Sequence, residues 1–356
     1  MIDPNFWKDR KVFITGHTGF KGGWLSLWLK DLGAHVTGYA LSPTSEQAFY
    51  TQASVNHSLV HSTFADIRDL EAFKKEMQAA EPSIVVHLAA QPLVIDSYLD
   101  PINTYSTNIM GTVNMFEAVR STSSVKAVLN ITTDKCYENN GQLLGYKEND
   151  PMGGHDPYSS SKACAELVSA TYRKSFFNES NISLATARAG NVIGGGDWAK
   201  DRIVPDAMRA FANNKKLLVR NPNSIRPWQH VLEPLFGYLM LCQKLINNPE
   251  KYSDAWNFGP NQEDAQPVSV LADIITKSWG DNAEWGYDNI AHPHEANYLK
   301  LNCSKANNIL KWEPKWSLNQ TLFETVKWYK AFSNNENMSK FTLKQIEQYT
   351  LYEPTL

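Results

Sequence analysis

Short hydrophobic runs alternate with longer segments of helical periodicity along the first half of the chain. Runs with the length and the β-branched content of buried strands occur at residues 11–15, 35–41, 83–89, 127–131 and 183–187. Apolar residues that recur every three or four positions predict helices over residues 20–32, 103–120 and 158–174. Because strands that alternate with helices form βαβ units, the pattern predicts an α/β fold built on a Rossmann-type, doubly wound parallel sheet.

The regular alternation ends near residue 190, after which Gly, Pro, Asn and Trp become frequent. A chain of 356 residues is also longer than one small core requires. We therefore expect a Rossmann domain over residues 1–190, to which a segment near residues 229–256 returns. Residues 191–356 are expected to form mainly a smaller, mixed α/β domain that binds the substrate.

Composition excludes several classes of function. A net charge of −3 gives no electrostatic reason to expect nucleic acid or an acidic membrane as a partner. The four cysteines are scattered without a CxxC pair, so we expect neither a metal site nor a disulfide framework. The N-terminus lacks the apolar core of a signal peptide, and the longest apolar stretch is far shorter than the ~20 residues of a membrane span. A cytoplasmic protein is predicted.

The turn after the first predicted strand carries Gly16, Gly19 and Gly22 at spacings of three. Glycine backbone can approach a diphosphate closely, and the following helix offers free N–H groups, so the turn predicts a dinucleotide site; a packing role alone is the alternative. The second strand is followed by neither an acid for the ribose of NAD nor a basic residue for NADP. Asp66 and Ile67, after the third strand, are expected to reach the adenine. NAD is favoured, with loose binding.

Polar residues follow three predicted strands, at residues 89–91, 132–135 and 191. Ligands of open parallel sheets lie beyond the carboxyl ends of the strands, so these segments are expected to line the site. Tyr158 and Lys162 are four residues apart and share one face of a helix. The ammonium group is expected to lower the pKa of Tyr158 toward neutrality, so that the phenolate accepts a hydroxyl proton while hydride passes to the nicotinamide. Thr133 is expected to share that hydrogen bond; a capping role for the two threonines is the alternative.

Four segments carry a family resemblance: GHTGFKGGWL at 16–25, TTDKCYEN at 132–139, GGGDWAKDRIVPD at 194–206 and RPWQHVLEPLFGY at 226–238. They resemble extended short-chain dehydrogenases/reductases that act on nucleotide-activated hexoses, and within these the CDP-glucose 4,6-dehydratases. The resemblance covers nearly the whole chain. It implies an NAD-dependent hydro-lyase of deoxysugar biosynthesis, of the O-antigen or lipopolysaccharide type. The alternatives are a UDP- or dTDP-hexose 4,6-dehydratase and a nucleotide-sugar 4-epimerase.

The resemblance implies a cycle of three steps. Hydride leaves C4 of the sugar, the C5 proton departs together with the C6 hydroxyl group, and hydride returns to C6. Asp134 stands where dehydratases keep the acid that protonates the departing hydroxyl, and the related epimerases typically lack it. Lys135 replaces the glutamate base of the dTDP-glucose enzymes. It is expected to act as a neutral base or as a cation that stabilises the enolate, with a salt bridge to Asp134 as the structural alternative.

Together these arguments predict a set of site residues. Catalytic residues are predicted to be Thr133, Asp134, Lys135, Tyr158 and Lys162. NAD contacts are predicted from Gly16, Thr18, Gly19, Phe20, Gly22, Asp66, Ile67, Ala89, Ala90, Gln91, Asn108, Tyr158 and Lys162. Substrate contacts are predicted from Thr133, Asn191, Ile203, Val204, Arg220, Arg226 and His294, where arginine suits the diphosphate because its guanidinium donates two hydrogen bonds at once. The resemblance also implies a homodimer through helices 103–120 and 158–174, or a homotetramer made of two such dimers.

Overall fold

The structure is a computed structural model that describes residues 1–280, 282–288 and 299–353. Its strands are β1 (Lys11–Thr15), β2 (His35–Ala40), β3 (His61–Phe64), β4 (Ile84–His87), β5 (Ala127–Ile131), β6 (Ser183–Ala189), β7 (Val192–Ile193), β8 (Leu217–Val219), β9 (Ile225–Pro227), β10 (Gln229–His230), β11 (Ala255–Phe258), β12 (Ala265–Pro267) and β13 (Trp285–Tyr287). Its α-helices are α1 (Pro4–Trp7), α2 (Phe20–Asp31), α3 (Phe49–Gln52), α4 (Leu70–Ala80), α5 (Val94–Leu99), α6 (Pro101–Tyr105), α7 (Gly111–Arg120), α8 (Pro157–Tyr172), α9 (Ile203–Ala212), α10 (Leu232–Asn247), α11 (Pro249–Tyr252), α12 (Val268–Trp279), α13 (Leu318–Ser333) and α14 (Met338–Leu351).

Seven strands form one parallel sheet in the order β11-β6-β5-β4-β1-β2-β3. The chain runs outward from β1 through β2 and β3, then crosses back to β4 and runs outward in the other direction. The crevice between β1 and β4 is therefore the topological switch point, where open α/β sheets bind ligands. The predicted Rossmann-type parallel sheet is confirmed.

Both faces of the sheet are buried. Because successive side chains of a strand point to opposite faces, one strand can contribute to two hydrophobic cores. In β1, Val12 and Ile14 enter the larger hydrophobic core, which also contains Trp24 and Trp28 of α2. Phe13, between them, enters a second core formed with α4 and α7. A sheet covered on both sides requires hydrophobic residues at successive positions of a strand, which explains the continuous hydrophobic runs in the sequence.

The chain returns to the sheet after residue 230. Helix α10 packs against β5 and β6, and β11 pairs with β6 at the edge of the sheet. The remaining short strands pair as β7 with β10, β9 with β12 and β8 with β13. The division into domains at residues 190 and 191 stays a prediction. Among the described helices, none combines the length and the hydrophobicity that a membrane span requires.

Candidate active site

The glycine-rich turn lies at the switch point and folds tightly on itself. Gly16 has a φ of +75°, and a Cβ atom there would lie 2.8 Å from the backbone nitrogen of Ala89. A Cβ atom at Gly22 would overlap the carbonyl of Gly16. Gly19 precedes α2 without a side-chain cap, so the first N–H groups of this helix are available to an anion. This cradle fits the diphosphate of a dinucleotide.

The predicted adenine contacts follow β3. The carboxylate of Asp66 binds the guanidinium group of Arg68 at 2.6 Å, and this hydrogen bond lowers the pKa of Asp66. Ile67 is buried beneath α7, and its carbonyl accepts a hydrogen bond of 3.0 Å from Asn114. Thr18 donates to the carbonyl of Leu41 at 2.9 Å, which joins the glycine-rich turn to the segment after β2. Helix α7 therefore holds the segment after β3, and the segment after β2 holds the glycine-rich turn.

Asn108 lies on a π-helical turn between α6 and α7 and connects two parts of the site. Its amide accepts from the backbone of Gln91 at 2.8 Å and donates to the carbonyl of the same residue at 3.1 Å. It also donates to Ser161 of α8 at 2.9 Å. The end of β4, where Ala89 and Ala90 precede Gln91, is thereby joined to the helix that carries Tyr158 and Lys162.

Asp134 is buried just beyond β5, on a short 3₁₀ turn. One carboxylate oxygen accepts a hydrogen bond of 3.0 Å from Thr133, and the other has no partner among the described residues. A Cβ atom at Gly190 would overlap this carboxyl group, so only glycine leaves room for it. Burial raises the pKa of Asp134, against the opposing charge of Lys135 and the hydrogen bond from Thr133. Asp134 therefore retains a proton to higher pH than an exposed carboxyl group does.

Tyr158 and Lys162 are both buried on the face of α8 that meets the end of β5. The ammonium group of Lys162 donates to the carbonyl of Ile131 at 3.1 Å. Burial raises the pKa of Tyr158 to about 12, and the opposing hydrogen bond with Thr133 does not outweigh it. The expectation that Lys162 brings this pKa toward neutrality is therefore wrong for the protein alone, because desolvation of the phenol is the larger effect. The pKa of Lys162 is itself lowered to about 8 by burial.

Lys135 is half-buried beside Asp134, and its charge acts to lower the pKa of that carboxyl group. Within the described ranges, no ion pair of 4.0 Å or less joins the two side chains. The structural alternative of a direct salt bridge is therefore wrong. Lys135 acts on Asp134 through space and keeps its ammonium group available for other contacts.

Two cationic residues of the site were not predicted, although both lie in the segments that carry the resemblance. Burial and the charge of Arg202 lower the pKa of Lys21 to about 8, and Lys21 in turn influences Asp134 and Lys162. Arg202 pairs with Asp197 at 2.9 Å and acts to lower the pKa of Tyr158. Two sequence features could have indicated them: the lysine inside the glycine-rich turn, and the DWAKDR segment before α9.

The predicted substrate residues are partly brought together. Asn191 has a φ of +43° and a buried amide nitrogen with no hydrogen-bond partner in the described part of the chain, which suits it to bind a ligand. The positive charge of Arg226 acts to lower the pKa of Asp134. Ile203 begins α9, and Val204 is buried in the core, so its side chain supports the helix. Arg220 pairs with Asp201 at 3.1 Å.

His294 lies outside the described residues. Trp228, which follows Arg226 by two positions, is buried with an indole N–H group that has no partner among the residues described. In the same ranges, no group of three His, Cys, Asp or Glu side chains is placed to hold a metal ion.

The fold and the site define a Rossmann-type nucleotide-binding protein with a Thr-Tyr-Lys group at the carboxyl end of β5, the strand next to β4 at the switch point. Residues 13–325 match the family described as GDP-mannose 4,6 dehydratase, and the chain belongs to this family of nucleotide-sugar 4,6-dehydratases, which are NAD-dependent hydro-lyases. The resemblance inferred from the sequence motifs is confirmed.

Individual relatives agree with this assignment. The chain is 53% identical over 354 residues to the CDP-glucose 4,6-dehydratase of Salmonella typhimurium, covering 98% of both chains. It is 23% identical to a dTDP-glucose 4,6-dehydratase of Xanthomonas campestris, over 89% of this chain and 92% of the relative.

Two solved structures share the fold. An epimerase from Methanothermobacter thermautotrophicus has a TM-score of 0.80 at 21% identity, over 97% and 96% of the two chains. The dTDP-glucose 4,6-dehydratase of Bacillus anthracis in complex with NAD has a TM-score of 0.75 at 20% identity, over 92% and 98%.

Proposed function

We propose that this protein converts CDP-glucose to CDP-4-keto-6-deoxyglucose by oxidation, loss of water and reduction within one active site. The buried carboxyl group of Asp134, which has a raised pKa and one oxygen without a partner among the described residues, is the observation that carries the proposal. A 4-epimerase needs no such acid, whereas water loss at C6 does. The identity of 53% to a CDP-glucose enzyme supports the choice of sugar nucleotide over the UDP- and dTDP-hexoses.

The bound cofactor is proposed to be NAD, which supplies the hydride acceptor and donor. Gly16, Gly19 and Gly22 would hold its diphosphate, since they leave the backbone open to close approach. Asp66 and Ile67 would contact its adenine. The remaining predicted contacts surround the crevice between β1 and β4: Thr18, Phe20, Ala89, Ala90, Gln91 and Asn108.

The residues of the chain move the protons. Tyr158 would accept the proton of the C4 hydroxyl group once the positive charge of a bound nicotinamide, added to the hydrogen bond of Thr133 and the charge of Arg202, has lowered the pKa of the phenol. Asp134 then donates its proton to the departing C6 hydroxyl group. Lys135 stands beside this acid and either takes the C5 proton as a neutral base or, as a cation, stabilises the enolate while water or another group takes that proton. Asn191 and Arg226 would bind the diphosphate of the sugar nucleotide.

We also propose a homodimer. Large apolar side chains are exposed along the helices of residues 94–120 and on α8, among them Leu99, Ile102, Met110 and Leu167, and Ile102 is 80% exposed. A surface of this kind on a soluble protein favours association. Pairing of dimers into a tetramer, a cytoplasmic location and a role in O-antigen or lipopolysaccharide synthesis complete the proposal and rest on the resemblance.

The proposal is tested by incubating the protein with NAD and, separately, CDP-, dTDP-, UDP- and GDP-hexoses. The expected result is a 4-keto-6-deoxy product from CDP-glucose, identified by mass loss of water and by the carbonyl signal. A product of unchanged mass with inverted C4 would identify an epimerase instead. Turnover confined to dTDP- or UDP-glucose would overturn the choice of nucleotide.

A further inference from the structure

Residues Thr133, Asp134 and Lys135 form a tripeptide in which the side chain of Thr133 donates to Asp134 at 3.0 Å, but the backbone makes only long hydrogen bonds of its own. The backbone N–H of Cys136 reaches the carbonyl of Thr133 at 3.4 Å, and that of Lys135 reaches the hydroxyl of Thr133 at 3.4 Å. Both distances are at the long limit of a hydrogen bond. One ordinary bond of 2.9 Å, from the N–H of Gly153 to the carbonyl of Cys136, joins the turn to the next loop. Other contacts must set the orientation of the tripeptide.

The residue before the tripeptide is held by a buried carboxylate. The hydroxyl of Thr132 donates to Glu166 at 2.5 Å, and Thr186 donates to the other oxygen of Glu166 at 2.7 Å. Glu166 lies on α8, one turn beyond Lys162, and is 5% exposed. Burial acts to raise its pKa, but the charge and hydrogen bond of Arg188 outweigh this effect and the pKa is lowered. Glu166 is therefore ionised.

Arg188, which forms a buried ion pair with Glu166, holds the segment after the tripeptide. Arg188 of β6 donates to Glu166 at 2.8 Å and, through its other terminal nitrogen, to the hydroxyl of Tyr137 at 2.7 Å. That hydroxyl donates onward to Asn257 of β11 at 2.7 Å. Thr132 and Tyr137 thus lie on either side of the tripeptide. The hydroxyl groups of both are hydrogen-bonded to the same buried ion pair.

A pair buried this deeply is not explained by stability. Each side chain is only 4% exposed, and the cost of removing two charges from water often equals or exceeds their attraction. We propose that Glu166 and Arg188 are positioning residues that orient Asp134 and Lys135 for the loss of water. This inference rests on the proposed function. The charge of Glu166 acts to raise the pKa of Lys162, but helix α8 sets the positions of Tyr158 and Lys162 without the pair.

The test separates oxidation from water loss in single turnovers. Glu166→Gln keeps the size of the side chain but removes its charge, so the pair with Arg188 is lost. We expect the rate of NADH formation to stay within a few-fold of the wild type. Water loss should slow by on the order of 10–10²-fold, the effect of a small misplacement of reacting groups. NADH absorbance and a 4-keto-hexose that retains its C6 hydroxyl group should accumulate.

Two further variants avoid the risk that Glu166→Gln fails to fold. Thr132→Val removes only the hydroxyl that Glu166 holds, and Tyr137→Phe removes only the hydroxyl that Arg188 holds. Both variants should lower the rate of water loss relative to the rate of NADH formation, as Glu166→Gln does. Thr132→Ser retains a hydroxyl and should restore the wild-type ratio.

Glu324→Gln provides the matched control. Glu324 is also a buried carboxylate, but it pairs with Lys327 on α13 and, within the described part of the chain, makes no hydrogen bond or ion pair with the tripeptide. This variant should lower the melting temperature and leave the ratio of rates unchanged. The inference is overturned if the folded Thr132→Val and Tyr137→Phe variants keep the wild-type ratio, or if both steps slow equally. The rates are measured with whichever hexose the wild type turns over, so failure on CDP-glucose would reject the proposed substrate and not the positioning role.

Discussion

Asp134 accepts a hydrogen bond on one carboxylate oxygen, while the other oxygen has no partner in the described ranges and is free to donate a proton to a substrate. Asp134→Asn retains the hydrogen-bonding shape but cannot release a proton. We expect oxidation at C4 to survive while water loss fails, so that enzyme-bound NADH and a 4-keto-hexose with its C6 hydroxyl group accumulate. Absorbance at the reduced-nicotinamide band and mass spectrometry of the sugar measure this. An unimpaired yield of 6-deoxy product would assign the acid to another residue.

Burial raises the pKa of Tyr158 to about 12, so the phenol of the protein alone is protonated at neutral pH. Tyr158→Phe keeps the ring and removes the hydroxyl. Turnover should fall ~10²–10⁴-fold, the usual effect of losing a positioned base. Binding of the sugar nucleotide, measured by calorimetry, should change little. A turnover within a few-fold of the wild type would contradict the assignment.

Lys135 has two possible roles, and two substitutions separate them. Lys135→Met keeps the bulk and removes both charge and lone pair, so water loss and deuterium incorporation at C5 should collapse while C4 oxidation remains. Lys135→Glu restores a base but reverses the charge. Partial activity of the Glu variant would favour the base, and a variant as inactive as Lys135→Met would favour charge stabilisation. Near-normal elimination in the Met variant would exclude both roles.

At the scale of the secondary-structure elements, the predicted helix over residues 103–120 is broken into α6, a π-helical turn and α7. The extra residue of a π turn shifts the side chains that follow, and such turns frequently occur at functional sites. Here it places Asn108 against Gln91 and Ser161. Periodicity predicts the length of such a helix well. It does not predict the π turn, since that depends on partners from β4 and α8.

The same helix positions the segment after β3, which is proposed to contact the adenine. The side chain of Asn114 on α7 donates to the carbonyls of Ile67 and Arg68 at 3.0 Å each. Asn114→Ala removes both bonds, each worth about 1 kcal/mol, and should raise the Kd for NAD about tenfold. The kcat at saturating NAD should stay unchanged, because α8 and the end of β5 are untouched.

Asn307→Ala is the matched control for this prediction. Its side chain also donates to a backbone carbonyl, that of Trp312, at 2.7 Å. It should leave the NAD affinity of the wild type intact. An unchanged Kd in Asn114→Ala, measured by calorimetry, would show that the segment after β3 needs no such support.

At the scale of the whole molecule, the exposed apolar side chains on α5, α6 and α8 predict the mode of association. Ile102→Glu places a charge on this surface and should raise the dissociation constant of the proposed dimer by on the order of 10-fold or more, because an unpaired charge would be buried. Sedimentation velocity at several concentrations measures it. Leu351→Glu, on another exposed leucine at the end of α14, should have no effect. Two variants with equal sedimentation coefficients would place the interface elsewhere.

The sequence alone determined the sheet and the glycine-rich turn. Strands at residues 11–15 and 127–131 were predicted with their observed bounds, because continuous hydrophobic runs are what a sheet covered on both faces requires. Contiguous motifs likewise placed Thr133, Asp134 and Lys135 at a strand end.

Only the tertiary structure decided which distant charges meet. Lys21 and Arg202 influence Asp134 and Tyr158, and Glu166 and Arg188 hold both ends of the tripeptide, although these residues are far apart in the sequence. The pKa of Tyr158 also ran against the sequence-based expectation, because burial outweighed its neighbours. Hydrophobic patterning is local and can be read along the chain, whereas desolvation and Coulomb interactions depend on distances that only the folded chain establishes.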